Sequence, residues 1–145
     1  MPPHQTSPSP GSRPGVSIVV PVLDEERHLA EAVQRLLGQR YDGPLEVVLA
    51  LGPSRDRTDE VAAALSAADK RLRTVPNPTG RTPAGLNAAI AASQYDIVVR
   101  CDGHALVPDD YVATAVETLE RTGADNVGGV MAAQGVSDFE QAVAR

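Results

Sequence analysis

The feature that most constrains this chain is a regular alternation, in which short β-branched runs are each followed by apolar residues at helical spacing. Val16-Ser17-Ile18-Val19-Val20-Pro21 is such a run, ended by proline, and reads as a buried strand. Leu29, Val33, Leu36 and Leu37 then recur at helical spacing, with Asp24 available as a cap and Gly38 near the end. Residues 45–51 predict a second strand, and a helix from about Thr58 to Ala68 turns Val61, Leu65 and Ala68 inward behind a cap at Asp56. A weak third strand, 72–75, precedes a helix with Thr82 as N-cap, Pro83 as its first residue and Leu86, Ile90 and Ala91 on its face. Residues 96–100 form a fourth strand. Pro108 opens a fourth helix with the face Tyr111, Val112, Ala115, Val116 and Leu119, closed by Gly123, and residues 126–130 complete a fifth strand.

Strands alternating with helices imply an α/β, Rossmann-like architecture. Its mostly parallel sheet carries helices on both faces, because parallel strands need right-handed helical crossovers. Ligands of such sheets bind at the carboxyl ends of the strands. Two stretches fall outside the alternation. Residues 1–15 hold Pro2, Pro3, Pro8, Pro10 and Pro14 with almost nothing apolar, which reads as a disordered tail before a single domain at 16–145. At the other end, Ser137-Asp138-Phe139-Glu140 is a capping-box pattern whose helix has shown little more than Phe139 and Val143 when the sequence stops, so the domain is expected to be incomplete at its C-terminus.

Charge and composition remove several functions. A net charge of -6 disfavours nucleic acid and anionic membranes, both of which are bound through Lys and Arg patches, and favours a cation or a small ligand. The lone Cys101 cannot form an internal disulfide, and no signal-peptide pattern precedes the first strand, so a reducing cytoplasmic location is expected. The apolar runs are a few residues long, far short of the roughly 20 needed to span a bilayer.

The predicted topology gathers polar chemistry on one edge. The first strand delivers Asp24, Glu25 and Glu26; the second delivers Gly52, Ser54 and Asp56. Asn77, Gly80, Arg81 and Asn87 follow the third, and Asp102-Gly103-His104 follows the fourth. Neither G-x-G-x-x-G after the first strand nor a P-loop occurs, which disfavours dinucleotide and P-loop sites. Asp102 and His104 lie two apart at a strand end, where a bend over Gly103 turns an oxygen and an imidazole toward one point, a pairing that suits Mn²⁺ or a similar cation. A cation there would offset charge developing on a diphosphate leaving group. The same residues also fit a turn cap and an ordinary loop histidine. Arg81 before a helix N-terminus suits a phosphate, or solvent; the acids at 24–26 suit a ribose or base, or the helix dipole. Cys101 reads as a small buried residue.

In order, Val16-Ser17-Ile18-Val19-Val20-Pro21 with Asp24-Glu25-Glu26, then residues 52–58, Asn77 with Gly80 and Asn87, Asp102-Gly103-His104 and Val127-Gly128-Gly129 resemble the N-terminal half of a family 2 glycosyltransferase. The Asp-Gly-His variant is most similar to succinoglycan-biosynthesis-type members. The resemblance implies a GT-A fold and an inverting transfer of sugar from a nucleotide-diphosphate donor to an acceptor hydroxyl, within polysaccharide or glycoconjugate biosynthesis. It implies Pro21, Glu25, Asp56, Arg81, Asn87 and Asp102 as nucleotide-sugar-binding residues, with Asp102 and His104 holding a divalent cation, Mn²⁺ or Mg²⁺. The donor would be UDP- or GDP-linked and the acceptor a glycan or lipid-linked glycan. No nucleic acid is involved, and any membrane association, at the inner face of the plasma membrane, would use segments outside this sequence.

The sequence departs from the family pattern at Leu51, where an Asp commonly contacts the base, and at His104, which replaces the second acid of the metal motif. The catalytic base is expected beyond the chain end, so this chain carries the donor-binding half and alone would not be active. Two rival classes accompany that reading: a non-catalytic nucleotide-binding fragment or degenerate domain, and a phosphoacceptor receiver domain. Val75-Pro76 at the third strand's end and the single Lys70 argue against the receiver.

Overall fold

β1 (Val16–Val22) and β2 (Leu45–Leu51) are nearly continuous apolar runs because both of their faces are covered: Val16 to Val20 and Leu45 to Ala50 are all buried. The structure, a computed structural model, describes residues 13–129. Within them β1, β2, β3 (Leu72–Pro76) and β4 (Ile97–Arg100) form one parallel sheet in the order β3-β2-β1-β4. The register pairs Val16 with Leu45 and with Ile97, so β1 is hydrogen-bonded along both edges. Each fully buried Val, Ile or Leu contributes about 1.5–3 kcal/mol, which makes these two strands the anchor of the sheet.

Crossover handedness places the helices. Stepping from β1 to β2 to β3 moves in one direction, so α1 (Leu29–Leu37) and α2 (Thr58–Ala68) share a face, while the return from β3 past β1 to β4 puts α3 (Thr82–Ala92) on the other. The contacts agree: α1 touches α2, and α3 lies on β1 and β2. Val19, Val48, Ala50 and Ala89 form the core beneath α3, with Val75, Leu86 and Ala92 packed against it. The expected strand and helix order from residue 16 to residue 122 is therefore realised, ending with α4 (Tyr111–Thr122).

Several local expectations need correction. Asp24 does not cap α1, which starts at Leu29; Asp24 sits in the preceding loop at φ 52°. In α2 the buried residues are Thr58 and Ala62, with Val61 and Leu65 partly covered and Ala68 exposed. In α3 the buried line is Gly85 and Ala89, while Ile90 is 47% exposed and Ala91 exposed. Small residues spaced four apart let α3 approach the sheet closely, with the Gly85 Cβ position 3.5 Å from the Ala50 Cβ. Residues 126–129 of the expected fifth strand form no strand, as suits a stretch containing Gly128 and Gly129, and Val130 lies outside the described residues. So do residues 1–12 of the expected tail and the capping-box helix at 137–145. Residues 13–15 are in place: Tyr41 Oη donates to the Pro14 carbonyl, and Gly15 lies against the Tyr95 ring.

The chain divides into two compact units, 1–112 and 113–145. The first holds the sheet, α1 to α3 and the start of α4, where Gln39 Oε1 accepts the Val112 N–H at 3.0 Å and Gln39 Nε2 donates to the Pro108 carbonyl at 2.7 Å. In the second, α4 runs to Thr122 and is closed by Gly123 at φ 66°, whose N–H reaches the Leu119 carbonyl at 2.9 Å.

At the amino edge of the sheet a polar network is buried. Ser17 is 0% and Glu46 5% exposed. Ser17 Oγ donates to Glu46 Oε1 at 2.6 Å, as does the Gln94 N–H at 2.6 Å, and Arg73 Nη2 donates to Glu46 Oε2 at 2.9 Å. The Tyr95 N–H reaches Ser17 Oγ at 3.2 Å, and Arg73 also bonds the Ala92 carbonyl. One carboxylate thus ties β1, β2, β3 and the α3–β4 connection. Glu46→Ala leaves these donors without their acceptor and is expected to cost about 3 kcal/mol in a urea unfolding titration; a cost near zero would show that the network does not hold this edge.

Candidate functional site

The strand order reverses at β1, which has β2 on one side and β4 on the other, and the loops that leave the carboxyl ends of β1 and β4 lie side by side at the edge where α/β sheets bind ligands. The loop after β1 carries residues 23–28, and β4 is followed by Cys101 and Asp102-Gly103-His104. The Cys101 N–H reaches the Val19 carbonyl at 3.1 Å and keeps β4 aligned with β1, and the Ala105 N–H reaches the Asp102 carbonyl at 3.0 Å and closes the turn. His104 Nδ1 lies 2.8 Å from Glu25 Oε1, so the two loops meet at the carboxyl edge. Gly103 is closely approached there: a Cβ would come within 3.2 Å of Glu25 Cγ, so the Glu25 side chain would have to give by a few tenths of an ångström.

The first loop is pinned to the second by backbone-to-side-chain bonds in both directions. Asp24 N–H donates to Ser54 Oγ at 3.0 Å, and Arg55 N–H returns to Asp24 Oδ1 at 2.7 Å. Glu25 N–H donates to Thr58 Oγ1 at 2.8 Å, Glu26 N–H to Asp56 Oδ2 at 3.2 Å, and Arg57 N–H to Glu26 Oε2 at 3.0 Å. Asp56 Oδ1 accepts both the Thr58 N–H at 2.9 Å and the Thr58 hydroxyl, but the N-cap residue of α2 is Arg57, so Asp56 braces the turn before the helix rather than occupying the cap position expected of it. The bond from the Thr58 hydroxyl holds the Asp56 carboxyl below the usual carboxylate range; desolvation opposes it, and the Thr58 and Glu26 N–H groups add to the lowering. The left-handed backbone at Asp24 is stabilised by this double bond to the second loop.

The third loop joins the same edge. Asn77, 4% exposed, donates from Nδ2 to the Arg81 carbonyl at 3.1 Å, and Asn77 N–H reaches the Leu51 carbonyl at 2.8 Å. Gly52 is where three loops converge: its Cβ position lies 3.1 Å from Leu23 Cδ1 and 3.2 Å from Gly80 Cα. Arg81 and Asn87 are both exposed, and among the described residues the Arg81 guanidinium has no ion-pair partner. Pro21, half-buried, pairs with Ala50 just inside the edge. Of the residues singled out from sequence, Glu25 and His104 are thus in contact, Asp56 bonds the loop that carries Glu25, and Arg81 and Asn87 flank the start and middle of α3.

Asp102 is half-exposed and 3.6 Å from Arg100 Nη2. Among the described residues no three His, Cys, Asp or Glu side chains stand together as a ready cation site. The donor set fits a cation whose remaining positions come from a diphosphate and water: a half-exposed carboxylate, and an imidazole whose Nδ1 faces Glu25 while Nε2 has no hydrogen-bond partner among the described residues. Cys101 is buried, and burial, helped by the Asp102 charge, pushes its thiol up to about 11, so it is inert as a nucleophile. Thr58 was not singled out by the sequence except as the start of a helix. Its role in fixing Glu25 depends on a contact across 33 positions that no local pattern encodes.

The hydrogen bond that His104 donates to Glu25 raises the His104 pKa above the ordinary histidine value, opposed by desolvation and assisted by the charges of Glu25 and Asp102. The stabilising charge pair is therefore fully present below the unfolded pKa of about 6.5 and is lost as pH rises through the raised folded value. Glu25→Ala is expected to lower the His104 midpoint, read from its ring C–H resonances in an NMR pH titration; an unmoved midpoint would dissolve the pair.

The family model described as "Glycosyl transferase family 2" matches residues 17–145. Succinoglycan biosynthesis protein ExoA of Rhizobium meliloti (strain 1021) is 36% identical over 129 residues, 88% of this chain and 39% of that protein. The chain thus spans about two fifths of that relative's length. Among solved structures, the mannosyltransferase PcManGT from Pyrobaculum calidifontis, in complex with GDP-Man and Mn²⁺, superimposes with a TM-score of 0.66 at 31% identity over 81% of this chain and 35% of its own. Glucosyl-3-phosphoglycerate synthase from Mycobacterium tuberculosis, in complex with UDP, gives 0.56 at 25% identity over 73% of this chain and 40% of its own. With the GT-A-type parallel core in place and the match running from the first strand to the last residue, this chain belongs to glycosyl transferase family 2.

Proposed function

We propose that this chain is the donor-binding part of an inverting glycosyltransferase that takes a nucleotide-diphosphate sugar at the carboxyl edge of β1 and β4. The observation that carries this reading is the meeting of the first and fourth loops at Glu25 and His104, beside the half-exposed Asp102 and at the edge where α/β sheets bind ligands. The nucleoside lies over the pinned first and second loops, at Pro21, Glu25 and Asp56. Arg81 and Asn87 face the donor's phosphates and sugar, Arg81 as a cation at the N-terminus of α3 with no ion-pair partner among the described residues.

Asp102 and His104 are the residues that would hold a divalent cation at this edge. Mn²⁺ is preferred over Mg²⁺, which is held by oxygen donors and keeps several waters; a relative of this chain was solved with GDP-Man and Mn²⁺. The cation supplies Lewis-acid neutralisation of the leaving diphosphate. In the transfer, the acceptor hydroxyl oxygen forms a bond to the anomeric carbon as the bond from that carbon to the diphosphate oxygen breaks. The nucleoside diphosphate leaves with that electron pair, and a base contributed by the remainder of a longer protein takes the hydroxyl proton. The rigid first and second loops orient the donor and keep the diphosphate in line with the attacking oxygen.

A likeness to a succinoglycan biosynthesis protein supports a glycan or lipid-linked glycan as acceptor and a place in polysaccharide synthesis. We place the reaction on the cytoplasmic side, where the single Cys101 stays reduced, and at the membrane face only through other segments. No helix among the described residues is long and apolar enough to cross a membrane.

Calorimetric titration with GDP and UDP, with Mn²⁺ and with EDTA, tests this reading. Chelation is expected to weaken binding of one nucleotide in the native chain and to change nothing in Asp102→Ala, which already lacks the metal-dependent part; a variant that still responds to Mn²⁺ would remove Asp102 from the site. Arg81→Ala is expected to raise Kd about tenfold, the loss of one charge-assisted contact, and an unchanged Kd would place the phosphates elsewhere.

A further inference from the structure

The Asp102-Gly103-His104 turn is buttressed by one side chain from the loop after β1. Glu25 lays its stem against Gly103, with Cγ 3.2 Å from the Cβ position there, and holds the imidazole at 2.8 Å through Oε1. An ionised carboxylate only accepts hydrogen bonds, so Nδ1 is the protonated nitrogen, and the neutral ring carries its lone pair on Nε2. Glu25 is itself immobilised: its side chain is only 17% exposed, and its N–H is held by Thr58, which is 0% exposed. A continuous chain of bonds therefore runs from the start of α2, through Thr58 and Glu25, to the ring of His104.

Resting on the donor site proposed above, we infer that Glu25 is a positioning residue for His104: it fixes the ring and its tautomer so that Nε2 faces the cation on the diphosphate, and so gives the site its preference for Mn²⁺ over Mg²⁺. Metal-bound histidines commonly donate their other ring N–H to a carboxylate, which fixes orientation and raises basicity. Glu25 is placed to do this before any cation arrives. First-row transition ions accept an imidazole nitrogen, whereas Mg²⁺ is held by oxygen donors. Loss of the oriented Nε2 therefore weakens Mn²⁺ and leaves Mg²⁺ nearly unchanged. This task is separate from any contact that Glu25 makes with the nucleoside, because it acts through the ring alone.

The test is a double-mutant cycle on the whole chain with GDP and, separately, UDP. Mn²⁺ uptake is read from the loss of the free-ion EPR signal, with Mg²⁺ as competitor. Glu25→Ala and His104→Ala are each expected to weaken Mn²⁺ about tenfold or more, the usual effect of losing a metal ligand's orienting partner. The double variant is expected to be no weaker than His104→Ala. Glu25→Gln, whose amide oxygen still accepts from Nδ1, keeps the Mn²⁺ preference and guards against a loop that loosens in the alanine variant. Independently of any metal, ¹⁵N shifts of the neutral His104 ring are expected to show the Nδ1–H tautomer in the native chain and in Glu25→Gln, and Nε2–H in Glu25→Ala. An unaltered Mn²⁺ to Mg²⁺ ratio in Glu25→Ala, additive losses in the double variant, or an unchanged tautomer would each overturn the inference while leaving the donor site intact. Absence of Mn²⁺ uptake by the native chain with either nucleotide would overturn the donor-site reading, and this inference with it.

Discussion

Burial of β1 on both faces, with hydrogen bonds along both edges, is the constraint on which the remaining geometry depends. β1 is flanked by β2 on one side and β4 on the other, and it is where the chain's lateral progress reverses. A strand so placed must be apolar throughout, and Val16 to Val20 comply except for Ser17, whose hydroxyl is satisfied by Glu46. The reversal also sets the loops after β1 and β4 side by side at the carboxyl edge, where Glu25 and His104 meet.

The two edges of the sheet use polar groups differently. At the amino edge, Glu46 is buried and meets Ser17, Arg73 and the Gln94 N–H, so its charge is spent within the fold. At the carboxyl edge the groups are partly exposed and partly satisfied: Asp56 is saturated by loop bonds, Glu25 is committed to His104, and Asp102, Arg81 and Asn87 face solvent. The contrast separates groups that hold the sheet together from groups left available to a ligand. A static shell of loop bonds surrounding open donors is the arrangement that orients a diphosphate without rearranging around it.

Much of this was legible in one dimension. Among the described residues, periodicity located all four helices and four of five expected strands, since β-branched runs and helical spacing report burial directly. Inward faces were less legible where the helix is alanine-rich: in α2 and α3 the buried positions are Thr58, Ala62, Gly85 and Ala89, and hydrophobicity alone ranks Ile90 above them. Close approach to the sheet, rather than side-chain size, selected those positions. The expected strand at 126–129 rested on Val127 beside two glycines, and local propensity there was too weak to define a strand.

The sequence by itself determined the order of elements, the parallel sheet that such an order requires, and the set of polar residues at its carboxyl edge, because hydrophobic period and crossover handedness are local or nearly local properties. Only the tertiary structure decided which of those residues meet. The bonds between Glu25 and Thr58, 33 positions apart, and between Glu25 and His104, 79 apart, exist because β1 lies between β2 and β4. A contact of that kind depends on strand order and loop geometry, which no short stretch of sequence contains.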